Sequence, residues 1–388
     1  MKKIALICNT YIRNYGSILQ SYATYCTLKS LGYDVDVVNY QDVPRNVKIK
    51  LRINWHIRIP MLLHWKNIKK KIQSFVASKK ESFRRIKSGR ACAMDQFVYD
   101  NFSFTKKLFS IDEVRNVIKQ YDIVVLGSDQ LWGVAEIIRN YHTLNFVPEQ
   151  MPKITYATSF GVSNLPSFLK KETRCFLNRI NSLSVREESG AAIIKSLTGR
   201  SAQVVVDPTL LLTESEWNSI VNLKKPYERS YVFCFFLGDN PLHRAFAKIF
   251  QQKTGLKIVS MLHLDEFIKD DETFADETFD NASPLDFVNL IKNAEYIICD
   301  SFHASVFSII FRKMFFTLDR YDSKSTNSRN TRIASLFGKL GLENRHITGC
   351  ENIDLLLQKN IDFDSVHKRL DVWRNESKQY LKNALSLD

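Results

Sequence analysis

The chain has 388 residues, of which 45% are apolar and 12% aromatic, and its length exceeds that at which single cores usually stop growing. Its seven cysteines are scattered without a C-x-x-C pair, and no apolar run approaches the ~20 residues of a membrane span. We therefore expect a two-domain cytoplasmic protein, without a disulfide framework or a transmembrane segment.

The whole excess of positive charge, +14, lies in one segment. Residues 45–90 hold fifteen Lys and Arg against a single acid, Glu81, and they include Trp55 and Trp65. A basic amphipathic segment with tryptophan is typical of peripheral attachment to an anionic membrane surface, here the inner face of the membrane. A solvated helix that packs on its own domain fits the segment equally well. Nucleic acid is not an expected partner, because no recognition motif accompanies the charge.

Strands and helices alternate through the first half, which favours a mostly parallel sheet covered on both faces. The pattern predicts strands at 3–8, 34–39, 123–126, 154–158, 182–185 and 203–206. It predicts helices at 15–31, 111–119, 167–180 and 188–196. Near 207–225 the pattern pauses, and there we place the crossing between two domains.

The second half repeats the scheme, with predicted strands at 231–237, 256–259, 296–299 and 314–317. Helices are predicted at 242–252, 284–293, 304–311 and 364–385. The acidic stretch 265–280 is typical of a mobile solvated loop. We therefore expect an α/β fold of two Rossmann-like domains facing a cleft. Its parts are 1–225 with the basic insert 45–90, then 226–350, and a helical tail, 351–388, as a candidate to pack back on the first domain.

Polar turns follow several predicted strands, at the sheet edges where α/β proteins bind ligands. Asn14 precedes Gly16 at the opening of the first helix, and Gly16 permits close approach of a ligand or a backbone. Ser128 and Asp129 follow the strand at 123–126. Arg186 stands at the start of a helix, where the dipole disfavours a cation unless an anion is near. At each turn a capped helix or a salt bridge is the structural alternative.

The most informative turn is Asp300-Ser301-Phe302-His303, between an apolar strand and an apolar helix. A helix N-terminus there offers N–H groups and a partial positive charge to a phosphate or a carboxylate. Histidine is the side chain that ordinarily titrates near neutral pH, which makes His303 the candidate acid or base. Alternatively, Asp300 and Ser301 are helix caps and His303 is a hydrogen-bonded turn residue.

Together these residues resemble the polysaccharide pyruvyltransferase family, over most of residues 1–345. The motifs are Asn14-Tyr15-Gly16-Ser17-x-x-Gln20, Gly127-Ser128-Asp129-Gln130-x-Trp132, Val185-Arg186-x-x-Ser189, Asp207-Pro208-Thr209, Asp300-Ser301-Phe302-His303 and Thr331-Arg332-Ile333. The resemblance implies a GT-B-like fold and a transferase of polysaccharide biosynthesis, in exopolysaccharide or capsule formation. It implies phosphoenolpyruvate as donor and a sugar hydroxyl pair of a cell-surface polysaccharide precursor as acceptor, giving a cyclic pyruvate ketal and phosphate.

Carried over by position, the family's arginine falls on Arg186 and its histidine on His303. Some members have an arginine where this chain has Ser301, so Arg332 or Arg329 is expected to supply that charge. His303 is expected to carry the proton, and Asp129 to deprotonate or orient the acceptor. The expected substrate-binding residues are Arg186, Arg332, Ser301, Asn14, Gly16 and Ser128. No step needs a metal, and no cluster has ligand spacing, so we expect neither metal nor cofactor.

Two other functions stay open. A nucleotide-sugar glycosyltransferase on the same fold requires a ribose-binding carboxylate beside a diphosphate-binding pair, which the second domain does not display. The third candidate is a non-catalytic module that binds a membrane surface. A lipid-linked saccharide as the acceptor is equally open.

Overall fold

The computed structural model describes residues 1–41, 81–263, 268–320 and 331–386. The first six strands are β1 (Lys3–Ile7), β2 (Asp34–Val37), β3 (Ile123–Leu126), β4 (Lys153–Thr155), β5 (Ser184–Val185) and β6 (Gln203–Val204). Four of them form a parallel sheet in the order β2-β1-β3-β4. Isolated bridges from Ile154 to Ser182 and from Thr158 to Val185 continue that sheet into the parallel pair β5-β6.

Helices cover this sheet on both faces. They are α1 (Tyr15–Ser30), α2 (Glu81–Asn101), α3 (Ile111–Ile118), α4 (Val134–Arg139), α5 (Ser167–Asn178) and α6 (Glu188–Thr198). Side chains at their N-termini explain where two of them begin, because Asn14 caps α1 and Ser110 caps α3. The first sheet therefore has the alternating pattern that the sequence predicts.

The second sheet is also parallel. Its strands are β7 (Tyr231–Phe235), β8 (Lys257–Ser260), β9 (Glu277–Thr278), β10 (Tyr296–Cys299), β11 (Met314–Leu318) and β12 (His346–Ile347). Their order is β12-β11-β10-β7-β8-β9. The remaining helices are α7 (Glu214–Ile220), α8 (Pro241–Thr254), α9 (Pro284–Asn293), α10 (Phe302–Ile310), α11 (Thr331–Leu340), α12 (Ile353–Gln358) and α13 (Phe363–Leu385).

Successive side chains of the buried strands point to opposite faces of each sheet, and they form one central and two outer apolar clusters. In β1, Ile4 and Leu6 enter a central apolar cluster, whereas Ala5 and Ile7 enter an outer one. Likewise Ile297 of β10 faces the central cluster, and its neighbour Ile298 faces an outer cluster of the second sheet. Because the side-chain period of a strand is two, each continuous apolar run is buried on both faces. The central cluster is shared by the two sheets and supports the cleft between them.

The final helix, α13, returns to the first sheet. Trp373 donates its indole N–H to the carbonyl of Val204 at 3.1 Å, and the Tyr380 hydroxyl donates to the carbonyl of Thr155 at 2.9 Å. The Ser377 hydroxyl accepts from the amide of Val206 at 3.0 Å. Strand β1 and helix α13 therefore lie on the same side of the cleft. The domain limits at 225 and 350 stay a prediction.

The acidic stretch is more ordered than its composition suggests. Within 268–280, Asp276 accepts hydrogen bonds from the amide of Ile258 and the side chain of Gln251, at 2.7 and 2.5 Å. Asp271 pairs with Arg244 on α8 at 2.9 Å. The expectation of a fully solvated loop is therefore wrong for Asp271 and Asp276, because their carboxylates bind groups on neighbouring elements; the mobility of the stretch stays a prediction. Residues 264–267 lie outside the described part.

Most of the basic insert, 45–80, lies outside the described residues. Residues 81–90 open helix α2, which agrees with the helical form expected for this segment, and the helix continues beyond it to Asn101. Further along this helix, Met94 and Phe97 are buried in the central cluster, while Arg84, Arg85 and Lys87 are exposed. No helix in the described part of the chain is long and apolar enough to cross a membrane.

Candidate active site

The N-termini of α1 and α10 meet at the cleft. Ser301, the N-cap of α10, accepts a hydrogen bond from the amide of Ala304 at 3.4 Å. Opposite it, Asn14 accepts from the amide of Ser17 at 3.2 Å and so caps α1. These caps satisfy amides that have no partner inside a helix. Asn14 and Ser301 therefore fix the two helix ends that form the walls of the site.

Gly16 and His303 are in direct contact across this gap. A Cβ atom at Gly16 would lie 1.9 Å from Nδ1 of His303 and 2.5 Å from its Cγ. Only a residue without a side chain leaves room for the imidazole. The ring is 8% exposed, and its Nε2 lies 3.6 Å from Oδ2 of Asp207. Gly16 therefore determines where the imidazole stands.

Asp207 is the buried carboxylate that connects His303 with Arg186. Its Oδ2 accepts a hydrogen bond from Nη1 of Arg186 at 2.8 Å. Its Oδ1 accepts from the amide and the hydroxyl of Thr209, at 3.0 and 2.7 Å. Burial raises the pKa of this carboxyl, but His303 and Arg186 lower it by more and hold the pKa of Asp207 below its ordinary range. Asp207 is therefore the ionised counter-charge of both groups.

Arg186, on the turn between β5 and α6, is almost completely buried among carboxylates. Besides Asp207, its guanidinium lies 3.9 Å from Oδ1 of Asp129 and 3.9 Å from Oε2 of Glu187. Burial lowers the pKa of Arg186, but the three carboxylates outweigh it and the pKa lies above its usual value. Its Nε and Nη2 have no hydrogen-bond acceptor among the described residues. Two donors of a permanently charged group are thus available to a ligand.

Arg332 brings a second guanidinium to the same place. Its Cζ lies 5.5 Å from the centre of the Phe302 ring, and Cζ of Arg186 lies 4.9 Å from that centre. Burial and the charge of Arg186 lower the pKa of Arg332 to about 10. Its buried Nε has no acceptor in the described part of the chain. Two like charges that share one ring form a natural site for an anion with several oxygens.

Asp129 follows β3 in a left-handed conformation, with φ of 86°. Its Oδ2 accepts from the hydroxyl of Ser17 at 2.5 Å, and its Oδ1 accepts from the amide of Gln130 at 2.8 Å. Burial raises the pKa of this carboxyl, but Arg186, Ser17 and His303 together bring it below its usual value. A carboxylate held in this way is a weak base and a strong orienting group.

The hydroxyl of Ser128 binds the backbone and, within the described part of the chain, no other expected site residue. Its side chain is fully buried, and its hydroxyl donates to the carbonyl of Ala157 at 2.9 Å. This bond joins the end of β3 to the segment after β4. Ser128 therefore has a structural contact, and we leave it out of the proposed binding residues.

Two residues of the site, Asp207 and Phe302, were not among the expected site residues. Asp207 precedes a proline and caps a short 3₁₀ helix, Pro208–Leu210, so its sequence indicates only a turn. Phe302 is typical of an apolar helix core. The available signal was that both residues stand in motifs of the family resemblance, Asp207-Pro208-Thr209 and Asp300-Ser301-Phe302-His303.

A cleft of about 750 Å³, its open mouth included, adjoins the two helix ends. Asn14, Gly16 and Ser301 line it on the side of the site. Its remaining walls are mostly apolar and aromatic, including Tyr15, Phe235 and Phe287. The structure thus provides an open space beside the charged site. No group of three His, Cys, Asp or Glu side chains in the described residues has the geometry of a metal centre.

Solved structures with a similar fold include two UDP-GlcNAc 2-epimerases. The UDP-GlcNAc 2-epimerase from Neisseria meningitidis has 10% sequence identity, a TM-score of 0.51 and coverage of 99% of both chains. The UDP-N-acetylglucosamine 2-epimerase from Rickettsia bellii has 11% identity and a TM-score of 0.51, over 100% of this chain and 96% of its own. At such identity the similarity shows the fold alone. The protein has a GT-B-like fold, in which two parallel sheets with their helices face each other.

The family follows from the sequence. The profile of the family described as polysaccharide pyruvyl transferase matches residues 14–323. A comparison with curated proteins finds no match. The chain belongs to the polysaccharide pyruvyl transferase family and is a transferase enzyme.

Proposed function

We propose that the protein transfers the pyruvyl group of phosphoenolpyruvate to two hydroxyls of one sugar in a cell-surface polysaccharide precursor. The products are a cyclic pyruvate ketal and inorganic phosphate. The observation that carries the proposal is the pair of guanidinium groups, Arg186 and Arg332, that lie over the ring of Phe302 beside His303.

The donor matches this site in charge and shape. Phosphoenolpyruvate presents a phosphate and a carboxylate on one small planar skeleton. Guanidinium groups bind such oxygens in a bidentate manner, which the ammonium group of lysine does not do. Arg186 and Arg332 offer N–H groups that have no acceptor in the described residues. We assign them to the two anionic groups of the donor.

The chemistry needs a proton carrier near the donor. One proton must reach the C3 methylene, so that C2 becomes electrophilic and the two sugar hydroxyls attack it in turn. The hydroxyls release two protons, of which one ends on the new methyl group and one on the departing phosphate. His303 is the carrier, because it stands between the helix end at Gly16 and the counter-charge of Asp207.

Asp129 has the role of an orienting group in this scheme. It binds the Ser17 hydroxyl and lies beside Arg186. Its lowered pKa keeps it ionised, so it positions the arginine and an acceptor hydroxyl more readily than it removes a proton. Asn14, Gly16 and Ser301 line the cleft through which we propose the acceptor sugar enters.

The direct test is an incubation of the protein with phosphoenolpyruvate and a panel of nitrophenyl and lipid-linked glycosides. Mass spectrometry should show an adduct equal to pyruvate less water, together with stoichiometric phosphate. A glycoside formed from a sugar nucleotide, without any ketal, would support a glycosyltransferase. If His303→Ala left the biological role intact and no donor were consumed, a non-catalytic binding module would be supported.

We also propose that residues 45–90 hold the enzyme at the cytoplasmic face of the membrane, near a lipid-linked acceptor. The described end of this segment carries Arg84, Arg85 and Lys87 on an exposed face of α2. The test is sedimentation with anionic liposomes at low salt. Equal binding to neutral liposomes, or no sedimentation, would contradict this location.

A further inference from the structure

Phe302 touches every proposed donor-binding group. Its ring centre lies 4.9 Å from Cζ of Arg186 and 5.5 Å from Cζ of Arg332. It also meets the ring of His303 edge to face, with centroids 5.2 Å apart and planes at 90°. Phe302 is the first residue of α10 and is 6% exposed. An aromatic residue that only filled the core would not bring three cationic or titratable groups onto one ring.

The two arginines need something that holds them together. Each carries a positive charge, and the charge of Arg186 contributes to the lowered pKa of Arg332. Arg186 has Asp207, Asp129 and Glu187 around it, but Arg332 has no ion-pair partner among the described residues. Asp129 and Glu187 attract Arg332 only from beyond ion-pair distance, so a closer attraction is needed to hold it beside Arg186.

The ring supplies that attraction without using any hydrogen-bond donor. The face of an aromatic ring is negative, and a guanidinium within about 6 Å of its centre is attracted to it. Because the ring attracts the cation without an oxygen or nitrogen acceptor, it leaves hydrogen-bond donors of the guanidinium groups available to a ligand. This agrees with the buried Nε atoms of both arginines, which have no acceptor in the described part of the chain.

From these contacts we infer that Phe302 is a positioning residue, a cation–π clamp that holds Arg186 and Arg332 side by side for one oxyanion ligand. The inference rests on the proposed function for the identity of that ligand, phosphoenolpyruvate. The clamp lowers the cost of binding, because both guanidinium groups are already ordered before the ligand arrives.

The test replaces Phe302 by mono-, di- and trifluorophenylalanine. Successive fluorines weaken the negative face of the ring while they almost preserve its shape and its apolar character. Affinities for phosphoenolpyruvate and for inorganic phosphate are measured by calorimetry on the full-length protein. We expect a stepwise loss that reaches at least about tenfold for the trifluoro ring, because two cation–π contacts weaken together.

A matched control comes from the same helix. Phe307 is fully buried, and its ring meets those of Trp217 and Phe287, with centroids 5.0 and 6.3 Å away. Trifluorophenylalanine at this position should leave both affinities unchanged. In a second series, Phe302→Leu should weaken the binding of both anions at least as much as trifluorophenylalanine does. Phe302→Tyr should bind them as tightly as the wild type, because tyrosine keeps the ring face.

A measurement on the ligand-free protein tests the clamp independently of whether phosphoenolpyruvate is the donor. The ¹⁵N relaxation of the Nε–H groups of Arg186 and Arg332 reports how firmly each side chain is held. Fluorination at Phe302 should mobilise Arg332 most. Equal rigidity and equal affinity in the trifluoro protein would overturn the clamp. If the wild type bound neither ligand, while fluorination still mobilised Arg332, the clamp would stand and the donor assignment would fall.

Discussion

Gly16→Ala tests whether activity depends on the exact position of the His303 ring, because it displaces the ring without removing it. The new Cβ would lie 1.9 Å from Nδ1 of His303, 2.5 Å from its Cγ and 2.6 Å from its Cε1. Heavy atoms in normal contact are about 3.5 Å apart, so the ring must retreat by about 1.5 Å. The substitution leaves the imidazole intact but forces the whole ring to move.

The expected loss of activity follows from that displacement. A shift of about 1 Å in a catalytic group costs about 10²-fold in rate. We therefore expect kcat/KM for phosphate release from phosphoenolpyruvate to fall by at least about 10²-fold, or about 2.7 kcal/mol of barrier. The free energy of unfolding should fall by no more than about 2 kcal/mol, because the overpacking cost of about 1–3 kcal/mol is partly offset by the helix propensity of alanine.

The control is Gly338→Ala, another glycine inside a helix. A Cβ there would meet only Oε1 of Glu343, at 4.0 Å. This variant should keep wild-type activity and gain up to about 1 kcal/mol of stability. Phosphate release by each variant is followed alongside thermal unfolding by circular dichroism. A folded Gly16→Ala protein with wild-type kcat/KM would refute the role given to the His303 position.

Four further substitutions test other parts of the site. His303→Ala and Arg186→Ala should each lower phosphate release by at least about 10²-fold while circular dichroism shows an intact fold; wild-type rates would contradict their roles. Asp207→Asn should lower the free energy of unfolding at pH 7 by about 3 kcal/mol in urea titrations, since it removes the hydrogen-bonded counter-charge of the buried Arg186. The pKa of Asp207 is lower in the folded than in the unfolded chain, so its stabilisation is present above about pH 4 and lost as pH falls further. Wild type should therefore lose stability in acid more steeply than Asp207→Asn, and parallel curves would contradict this. Ser128→Ala should cost about 1 kcal/mol of stability and leave activity unchanged; a tenfold loss of activity would return Ser128 to the binding residues.

The fold class was predictable because the strands are short runs of apolar residues buried on both faces. The two parallel sheets and the structural relatives confirm it, and the matched profile confirms the family. Helix α2 was predicted only in part: a helix was expected within residues 45–90, but its continuation to Asn101 was not. The buried side chains of Met94 and Phe97 lie in that continuation, beyond the basic segment that drew the prediction.

Within the site, predictability followed from local chemistry. Polar turns at strand ends pointed to His303, Asp129 and Arg186, since ligands bind at that edge of a parallel sheet. Contacts across the cleft were not predictable. The fit of Gly16 against His303 joins residues nearly three hundred positions apart, and the carboxylate of Asp207 acts through tertiary contacts alone.

The measurement that tests the central claim most directly is a calorimetric titration of the wild type and Arg186→Ala with phosphoenolpyruvate, and of both with UDP-GlcNAc. Phosphoenolpyruvate should bind the wild type and bind Arg186→Ala at least about tenfold more weakly, because charge-assisted hydrogen bonds to the anion are lost. Any binding of UDP-GlcNAc should be equal in the two proteins, because we do not expect it to depend on Arg186. Binding of UDP-GlcNAc that depends on Arg186, without any binding of phosphoenolpyruvate, would contradict the assignment of this site to pyruvyl transfer.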